Sequence, residues 1–350
     1  MAETVKRLVV LTDYVTKTPK RLPKGYVNVF AESFVLKGTE LKNFAFDKIK
    51  TGSVTVQGRH PDGTKYTYTS PSGTYVENVD YVIDYMNGTI ARLPGSSIPD
   101  WTNKPAPTQA SYGAETKNDN YLIWVIYQYE GCREIATFNE ALPRLTNKIK
   151  TGTALSITVL GDSISTGLEA ETTTLHAYYN VFAKRIKKFH KNITSITINN
   201  QAIGGTTSAD LTDVNLQARV TGNPDLVIIA YGMNDQTSIS GDTFEANIRN
   251  AISWIQINKP DTDIILISGC TANYDTFYVV ADMERFEEYR NRYISIAAEI
   301  ENVAFADVTT KWKKYLQRKT YHDLLRNDIN HPTSFGHSVI YTEVLDEFIP

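Results

Sequence analysis

Two rhythms of apolar and polar positions divide the chain. Up to about residue 130 the alternation is short and two-fold: Ser53-Val54-Thr55-Val56-Gln57, Lys65-Tyr66-Thr67-Tyr68-Thr69, Tyr81-Val82-Ile83-Asp84-Tyr85-Met86. A period of two turns one face of a strand inward. Pro61-Asp62-Gly63 marks a turn before the second run. Asn87-Gly88, set between Tyr81–Met86 and Thr89–Leu93, predicts a hairpin. The aromatic and β-branched run Tyr121 to Tyr129 (YLIWVIYQY) predicts a central strand. Residues 94–120, with Pro94, Pro99, Pro105 and Pro107, read as loop. No helix-period segment stands out before Phe138. Residues 1–131 are therefore expected to form a small all-β accessory or attachment module, a sandwich or barrel.

From residue 132 the rhythm changes. Phe138 to Lys150 (FNEALPRLTNKIK) reads as a helix interrupted by Pro143. Apolar runs follow at 155–160, 195–199, 226–231, 263–268 and 303–306. Between them lie helical stripes: Tyr178, Val181, Phe182, Ile186 and Phe189; Phe244, Ile248, Ile252 and Ile255; Phe286, Tyr289, Tyr293, Ala297 and Ile300. Apolar strands alternating with amphipathic helices predict an α/β domain over 132–350, with a parallel sheet covered on both faces. In such sheets functional residues gather at the carboxyl ends of the strands.

Composition narrows the function. The chain has 350 residues, 41% hydrophobic and 21% charged, with a formal net charge of -3. Nothing in that balance points to nucleic acid or an anionic membrane as partner. Cys132 and Cys270 are far apart and offer neither a disulfide framework nor a metal spacing, so buried thiols are expected. The apolar core of the N-terminus, Leu8 to Leu11, is too short for a signal peptide or a membrane span. The expectation is a product made in the cytoplasm; action outside would need lysis, a specialised route or a particle.

The strand ends carry chemistry. Gly161-Asp162-Ser163 follows the first apolar run. Asn200-Gln201-Ala202-Ile203-Gly204-Gly205 follows the second, and Gly232-Met233-Asn234-Asp235 the third. Near the C-terminus comes Asp328-Ile329-Asn330-His331-Pro332. In isolation Asp162, Ser163 or Ser165 could equally cap a helix. A serine needs a general base, for which His331 is suited, and a histidine base needs a carboxylate to hold its tautomer. The spacing of Asp328 and His331 allows that contact within one turn; Asp323 is a rival without the spacing.

These four motifs, in this order, resemble the SGNH hydrolases, also called the GDSL esterase and lipase family, over roughly residues 138–350. The resemblance implies a three-layer α/β/α, flavodoxin-like domain and a serine esterase without metal or organic cofactor. It implies Ser163 as nucleophile, His331 as base and Asp328 as orienter. It also implies an oxyanion hole from the backbone N–H groups of Ser163 and Gly205 and the side-chain amide of Asn234. Gly205 is taken over Gly204 because the family's donor glycine lies five residues after the motif's asparagine, here Asn200. Asp162 and Asp235 read as scaffold. His337, after Phe335-Gly336 at a helix start, reads as a satisfied structural histidine. A metal pair of His331 and His337 lacks a third ligand.

The substrate stays open within the family. Tyr274 and Phe277, after the fourth apolar run, could stack on a sugar or simply pack their loop. The reading carried forward is removal of acetate from a glycan such as a bacterial surface polysaccharide. The N-terminal pattern around Asp80 to Ile90 resembles a small β module of bacteriophage and prophage virion proteins. That resemblance implies a tail enzyme, with other virion proteins or a second copy of the chain as partners. An accessory carbohydrate-binding or packing module is the alternative. For the whole chain, the alternative is a non-catalytic glycan-binding or structural protein with a hydrolase fold.

Overall fold

The computed structural model describes residues 20–21, 25–58, 74–104, 118–131, 134–135, 139–273 and 283–350. The Lys65–Thr69 run, the Pro61-Asp62-Gly63 turn, Cys132, Tyr274 and Phe277 lie outside the described residues.

Among the described residues nine strands precede the first α-helix: β1 (Lys20–Arg21), β2 (Gly25–Val35), β3 (Lys42–Asn43), β4 (Thr55–Gln57), β5 (Thr74–Tyr75), β6 (Tyr81–Asp84), β7 (Thr89–Arg92), β8 (Leu122–Gly131) and β9 (Glu134–Ile135). All their pairings are antiparallel: β2-β8-β4-β5, β3-β7-β6 and β1-β9. The aromatic run forms β8, flanked on both sides, as expected of a central strand. Asn87-Gly88 closes the β6–β7 hairpin, where Gly88 sits at φ +62 and donates to Asp84 O. A Cβ on Gly88 would lie 2.3 Å from Phe46 O, so glycine is required there.

Strand β2 has a bulge between Val29 and Glu32, with Ala31 at φ +54. Before the bulge its outer positions face solvent; after it, residues 31–35 are all buried. A strand buried on both faces must be covered twice, and here the second cover is the chain's own C-terminal segment. Ser33 Oγ donates to Asp323 O at 2.6 Å, Val35 N–H donates to Asp323 Oδ1 at 3.0 Å, and Ser33 meets Thr333 at 2.9 Å. Lys319 and Glu32, both fully buried, form an ion pair at 2.8 Å. Tyr127 OH and the N–H of Ala45 also donate to Glu32, and the Lys319 ammonium donates to Ser33 O and lies over the Phe34 ring.

The C-terminal part is a five-stranded parallel sheet in the order β11-β10-β12-β13-β14, built from β10 (Ala154–Gly161), β11 (Ser195–Asn200), β12 (Leu226–Ala230), β13 (Asp263–Ile267) and β14 (Val303–Ala306). The first-edge-then-back order places the topological switch between β10 and β12. Period-two alternation divides the strands between two cores. Ile157, Val159, Leu226, Ile228, Ile265 and Ile267 face Phe182 and Ile186 of the helix Tyr178–Phe189 and the C-terminal Trp312 and Tyr341. Leu160, Val227, Ile229, Ile264 and Leu266 face Phe244, Ile248, Ile252 and Ile255 of Gly241–Asn258 and Tyr289 and Tyr293 of Met283–Glu299. Three α/β/α layers result. The first core also contains Phe34, Phe44, Val56 and Tyr127, so it runs on into the N-terminal β region.

One helix expectation is corrected. The run Phe138 to Lys150 is expected to be a helix interrupted by proline; Phe138 lies outside the described residues, residues 139–142 are not helical, and the helix is Pro143–Thr151, which Pro143 opens. The first turn needs no donor from that residue, and its fixed φ suits a helix start.

Candidate active site

The end of β10 shows why its sequence is glycine, aspartate, serine. A Cβ on Gly161 would lie 2.7 Å from Ala230 O on the neighbouring strand and 2.5 Å from Ser165 Oγ. Only glycine lets the chain leave the sheet there. Asp162 Oδ1 accepts the Ile164 N–H at 2.9 Å and Asp162 O accepts that of Thr166 at 3.0 Å, which folds residues 162–168 into successive turns. These turns do not extend into a helix, so Ser163 is not a helix cap; the next helix is the four-residue Thr173–His176. Ser163 itself sits almost buried with its hydroxyl 2.8 Å from His331 Nε2.

Asp162 is a buried scaffold carboxyl. Burial pushes it up to about 7, the nearby Asp235 charge pushes the same way, and the Ile164 N–H opposes. Asp235 is also pushed up by burial; it accepts the N–H groups of Ser208 at 2.8 Å and Gly232 at 3.1 Å, shaping the loop that bears Asn234.

The glycine loop continues from β11. Gln201 and Ile203 N–H bond to Val159 O and Gly161 O, so the loop runs alongside the end of β10. Asn200 Nδ2 donates to Ser165 O at 2.9 Å and to Tyr179 OH at 2.8 Å, tying the loop to the nucleophile turn. Gly205 takes φ +80 in the turn closed by Thr206 N–H to Ile203 O, a conformation that favours glycine. Asn234 follows β12 and gives one amide hydrogen to Thr206 O at 2.9 Å. Ser163, Gly205 and Asn234 thus sit on consecutive loops at the carboxyl edge of β10, β11 and β12.

His331 lies on the loop 325–332, held by Arg326 N–H to His331 O and a bridge between Leu325 and Pro332. Asn327 organises it: its Oδ1 accepts the N–H groups of Ile329, Asn330 and His331 at 3.1, 3.0 and 2.9 Å. Three accepted bonds fix the amide orientation, which turns Nδ2 towards His331 Nδ1 at 3.0 Å. An amide nitrogen can only donate, so in this geometry Nδ1 accepts and Nε2 carries the ring proton towards Ser163.

The Asp328 carboxylate, at φ +63, faces elsewhere: His322 Nδ1 at 2.5 Å, Lys104 Nζ at 2.7 Å and Asn273 Nδ2 at 3.3 Å. Burial pushes this carboxyl up, but the bond and charge of His322 and the Lys104 ammonium outweigh it, leaving it below its ordinary value. Asn327, His322 and Lys104 carry no functional signature in the sequence. Asn327 stands beside Asp328 in an Asn-Asp pair that reads as turn chemistry alone, and Lys104 lies in a proline-rich loop.

His337 corrects a further expectation. It lies in the π-helical turn Gly336–Tyr341, fully buried against Tyr178 and Tyr341, and neither ring nitrogen has a hydrogen-bond partner among the described residues. Burial pushes it down to about 3, so it is a neutral packing group. Cys270 is buried as expected, its thiol pushed up to about 12 by burial. Among the described residues no His, Cys, Asp and Glu cluster fit for a metal occurs, and no helix is long and apolar enough to cross a membrane.

Fold and site define the class: a doubly covered parallel α/β sheet with a serine–histidine pair at its carboxyl edge, beside the topological switch. The chain belongs to the GDSL-like lipase/acylhydrolase family, whose model matches residues 159–339, and so to the carboxylic ester hydrolases. Similar solved structures include a protein from Parabacteroides merdae described as a GDSL-like lipase (18% identity, 55% of this chain and 95% of that one, TM-score 0.47). Others are a variant of an acetyl-xylooligosaccharide esterase from Geobacillus stearothermophilus (22%, 57% and 96%, 0.45) and a two-domain esterase active on acetylated mannans (22%, 61% and 54%, 0.47). No curated protein sequence matches the chain significantly.

Proposed function

We propose that the chain is a carbohydrate O-acetylesterase working through an acyl-serine. The observation that carries this reading is the 2.8 Å contact between Ser163 Oγ and His331 Nε2 at the end of β10. Ser163 attacks the ester carbonyl as its proton passes to His331 Nε2. His331 then protonates the leaving sugar hydroxyl, and water activated by the same imidazole releases acetate and restores Ser163. The oxyanion receives the backbone N–H groups of Ser163 and Gly205 and the second amide hydrogen of Asn234, each such donor contributing roughly 3–4 kcal/mol. For His331 to accept a proton at Nε2, Nδ1 must hold one. The Asn327 amide nitrogen cannot accept it, and we assign that acceptor to the Asp328 carboxylate, which must turn from His322 Nδ1 and Lys104 Nζ to reach it.

A small acyl group suits the surroundings. On the loops bearing Ser163 and Gly205 the exposed large apolar side chains are Leu168 and Ile203, whereas a long acyl chain needs a continuous apolar channel. One observation favours a second reading, a glycan-binding protein without turnover: the donor amide at Nδ1. Acetate release from a panel of O-acetylated polysaccharides, and p-nitrophenyl acetate hydrolysis by wild type and Ser163→Ala, decide between them. Equal rates for the two proteins would sink the esterase assignment.

A further inference from the structure

The loop that carries His331 is gripped from two sides. On one side Asn273, after β13, bonds through its N–H to Ile329 O at 2.7 Å and through Nδ2 to Asp328 O at 3.0 Å. The other grip comes from the segment between β7 and β8, in the N-terminal β region. There Asn118, fully buried, donates its N–H to Arg326 O at 2.7 Å and its side-chain amide to Leu325 O at 3.1 Å and His322 O at 3.0 Å. Its own Oδ1 accepts from Trp101 Nε1 at 3.1 Å, and the Trp101 ring packs on His322 with centroids 4.3 Å apart. Asp119 takes both Nε and Nη2 of Arg326, at 2.5 and 3.1 Å. Lys104, its side chain only 5% exposed, reaches Asp328 Oδ2 at 2.7 Å.

The contacts to Leu325, Arg326 and Asp328 land on the loop that supplies the base, and those to His322 on the short helix just before it. None is needed to close the parallel sheet or either core. Packing alone would be served by apolar contacts; a buried amide satisfying two loop carbonyls and a buried ammonium on a motif carboxylate set position and charge.

We infer that the N-terminal β region completes the catalytic site, with Lys104, Asn118 and Asp119 as positioning residues that hold the 325–332 loop, and His331 with it, in place and neutralise the Asp328 carboxylate on that loop. This rests on the serine-esterase reading of Ser163 and His331. The attachment or binding role expected of the N-terminal region is then joined to a role in the reaction itself. The charged and titratable groups at the Asp328 carboxylate include Lys104, from the N-terminal side, and His322, from the short helix Tyr321–Leu324; His331, the group that titrates, also faces His337 of the turn Gly336–Tyr341 within charge range. Removing the Lys104 charge therefore leaves the site more negative, which favours protonated His331 and delays the onset of activity to higher pH.

The test uses the full chain with Lys104→Met, Lys104→Arg and Asn118→Ala. Folded fraction is measured by thermal and urea unfolding, and the nucleophile by the labelling rate of Ser163 with a fluorophosphonate probe. Displacement of a catalytic group by about 1 Å costs on the order of 100-fold. The expected result is a 10- to 100-fold lower kcat and labelling rate for Lys104→Met and Asn118→Ala, with KM within about two-fold. The acid limb of the Lys104→Met profile moves upward, and Lys104→Arg restores it. Wild-type kcat and pH profile in folded Lys104→Met overturn the inference. So does lowered stability with undiminished kcat for the folded fraction. Should Asn118→Ala fail to fold, Lys104→Met decides alone. Failure of the esterase reading shows differently: wild type itself neither hydrolyses acetate esters nor takes the probe.

Discussion

Asp328 has two claims on it, one structural and one catalytic, and replacing it by asparagine separates them. Its carboxylate is the counter-charge of a nearly buried ammonium, Lys104, and burial already pushes that ammonium down from its ordinary value. Asp328→Asn leaves the cation without an anion. Breaking a buried pair in this way costs roughly 3–5 kcal/mol, less whatever is recovered when the lysine sheds its proton. The catalytic claim has a separate size. With an amide at 328, no carboxylate can turn to His331 Nδ1 and hold its proton when Nε2 takes that of Ser163. Loss of the tautomer-setting carboxylate lowers kcat by on the order of 10⁴-fold, about 5.5 kcal/mol of barrier. The double variant Asp328→Asn/Lys104→Met removes the orphaned cation and should recover most of the stability, raising the urea midpoint towards wild type. It should not recover kcat. The assay is p-nitrophenyl acetate turnover normalised to folded protein, beside urea unfolding of wild type, Asp328→Asn, Lys104→Met and the double variant. If kcat returns together with stability, Asp328 serves only to neutralise Lys104, and the orienting role assigned to it is wrong.

Three further outcomes are expected. Gly161→Ala drives a methyl into Ala230 O and Ser165 Oγ, which shifts the nucleophile turn; a displacement of about 1 Å should cost on the order of 100-fold in kcat with the fold retained, and an unchanged kcat would refute the steric reading. Asp162, raised from 3.8 to about 7, keeps its proton in the folded state over a range where the unfolded chain has lost it. Wild-type stability should therefore fall as pH rises from about 4 to 7, and Asp162→Asn, which keeps the acceptor for Ile164, should gain on wild type by roughly 2–3 kcal/mol between pH 5 and 8 in urea titrations. Lys319→Met strands the fully buried Glu32 and should cost roughly 3–5 kcal/mol, whereas Lys319→Met with Glu32→Gln should cost much less; equal losses would mean the pair is not the unit that matters.

Sequence reasoning read the sheet well for a physical reason. Strands buried on both faces, such as β12 and β13, must be continuously apolar, and little else in the chain is. Pro143 was misleading because the same residue breaks a helix interior and opens a helix end, and only the tertiary start at Leu142 separates the two. His337 misled because its local neighbours suggested a helix start, while its surroundings, Tyr178 and Tyr341, come from other segments. Ser163, Gly205, Asn234 and His331 stand out in the sequence because each follows a strand or belongs to a compact motif. Lys104 and Asn118 carry no such signature. Their partners lie more than two hundred positions away, and no periodicity encodes a contact of that range.

The doubly covered end of β2 also sets the order in which the molecule can mature. Ser33 and Asp323 are separated by 290 positions, and Ser33 and Thr333 by 300. Contacts that far apart form late, after the entropy of closing nearly the whole chain has been met. During synthesis the β region emerges first and waits, with the inner half of β2 uncovered, for the stretch that also bears His331. Its apolar flank is then open to other chains, so crowding during translation is a hazard particular to this design. Completion of the fold and arrival of the base are one event, and an interrupted chain would be left sticky as well as inert.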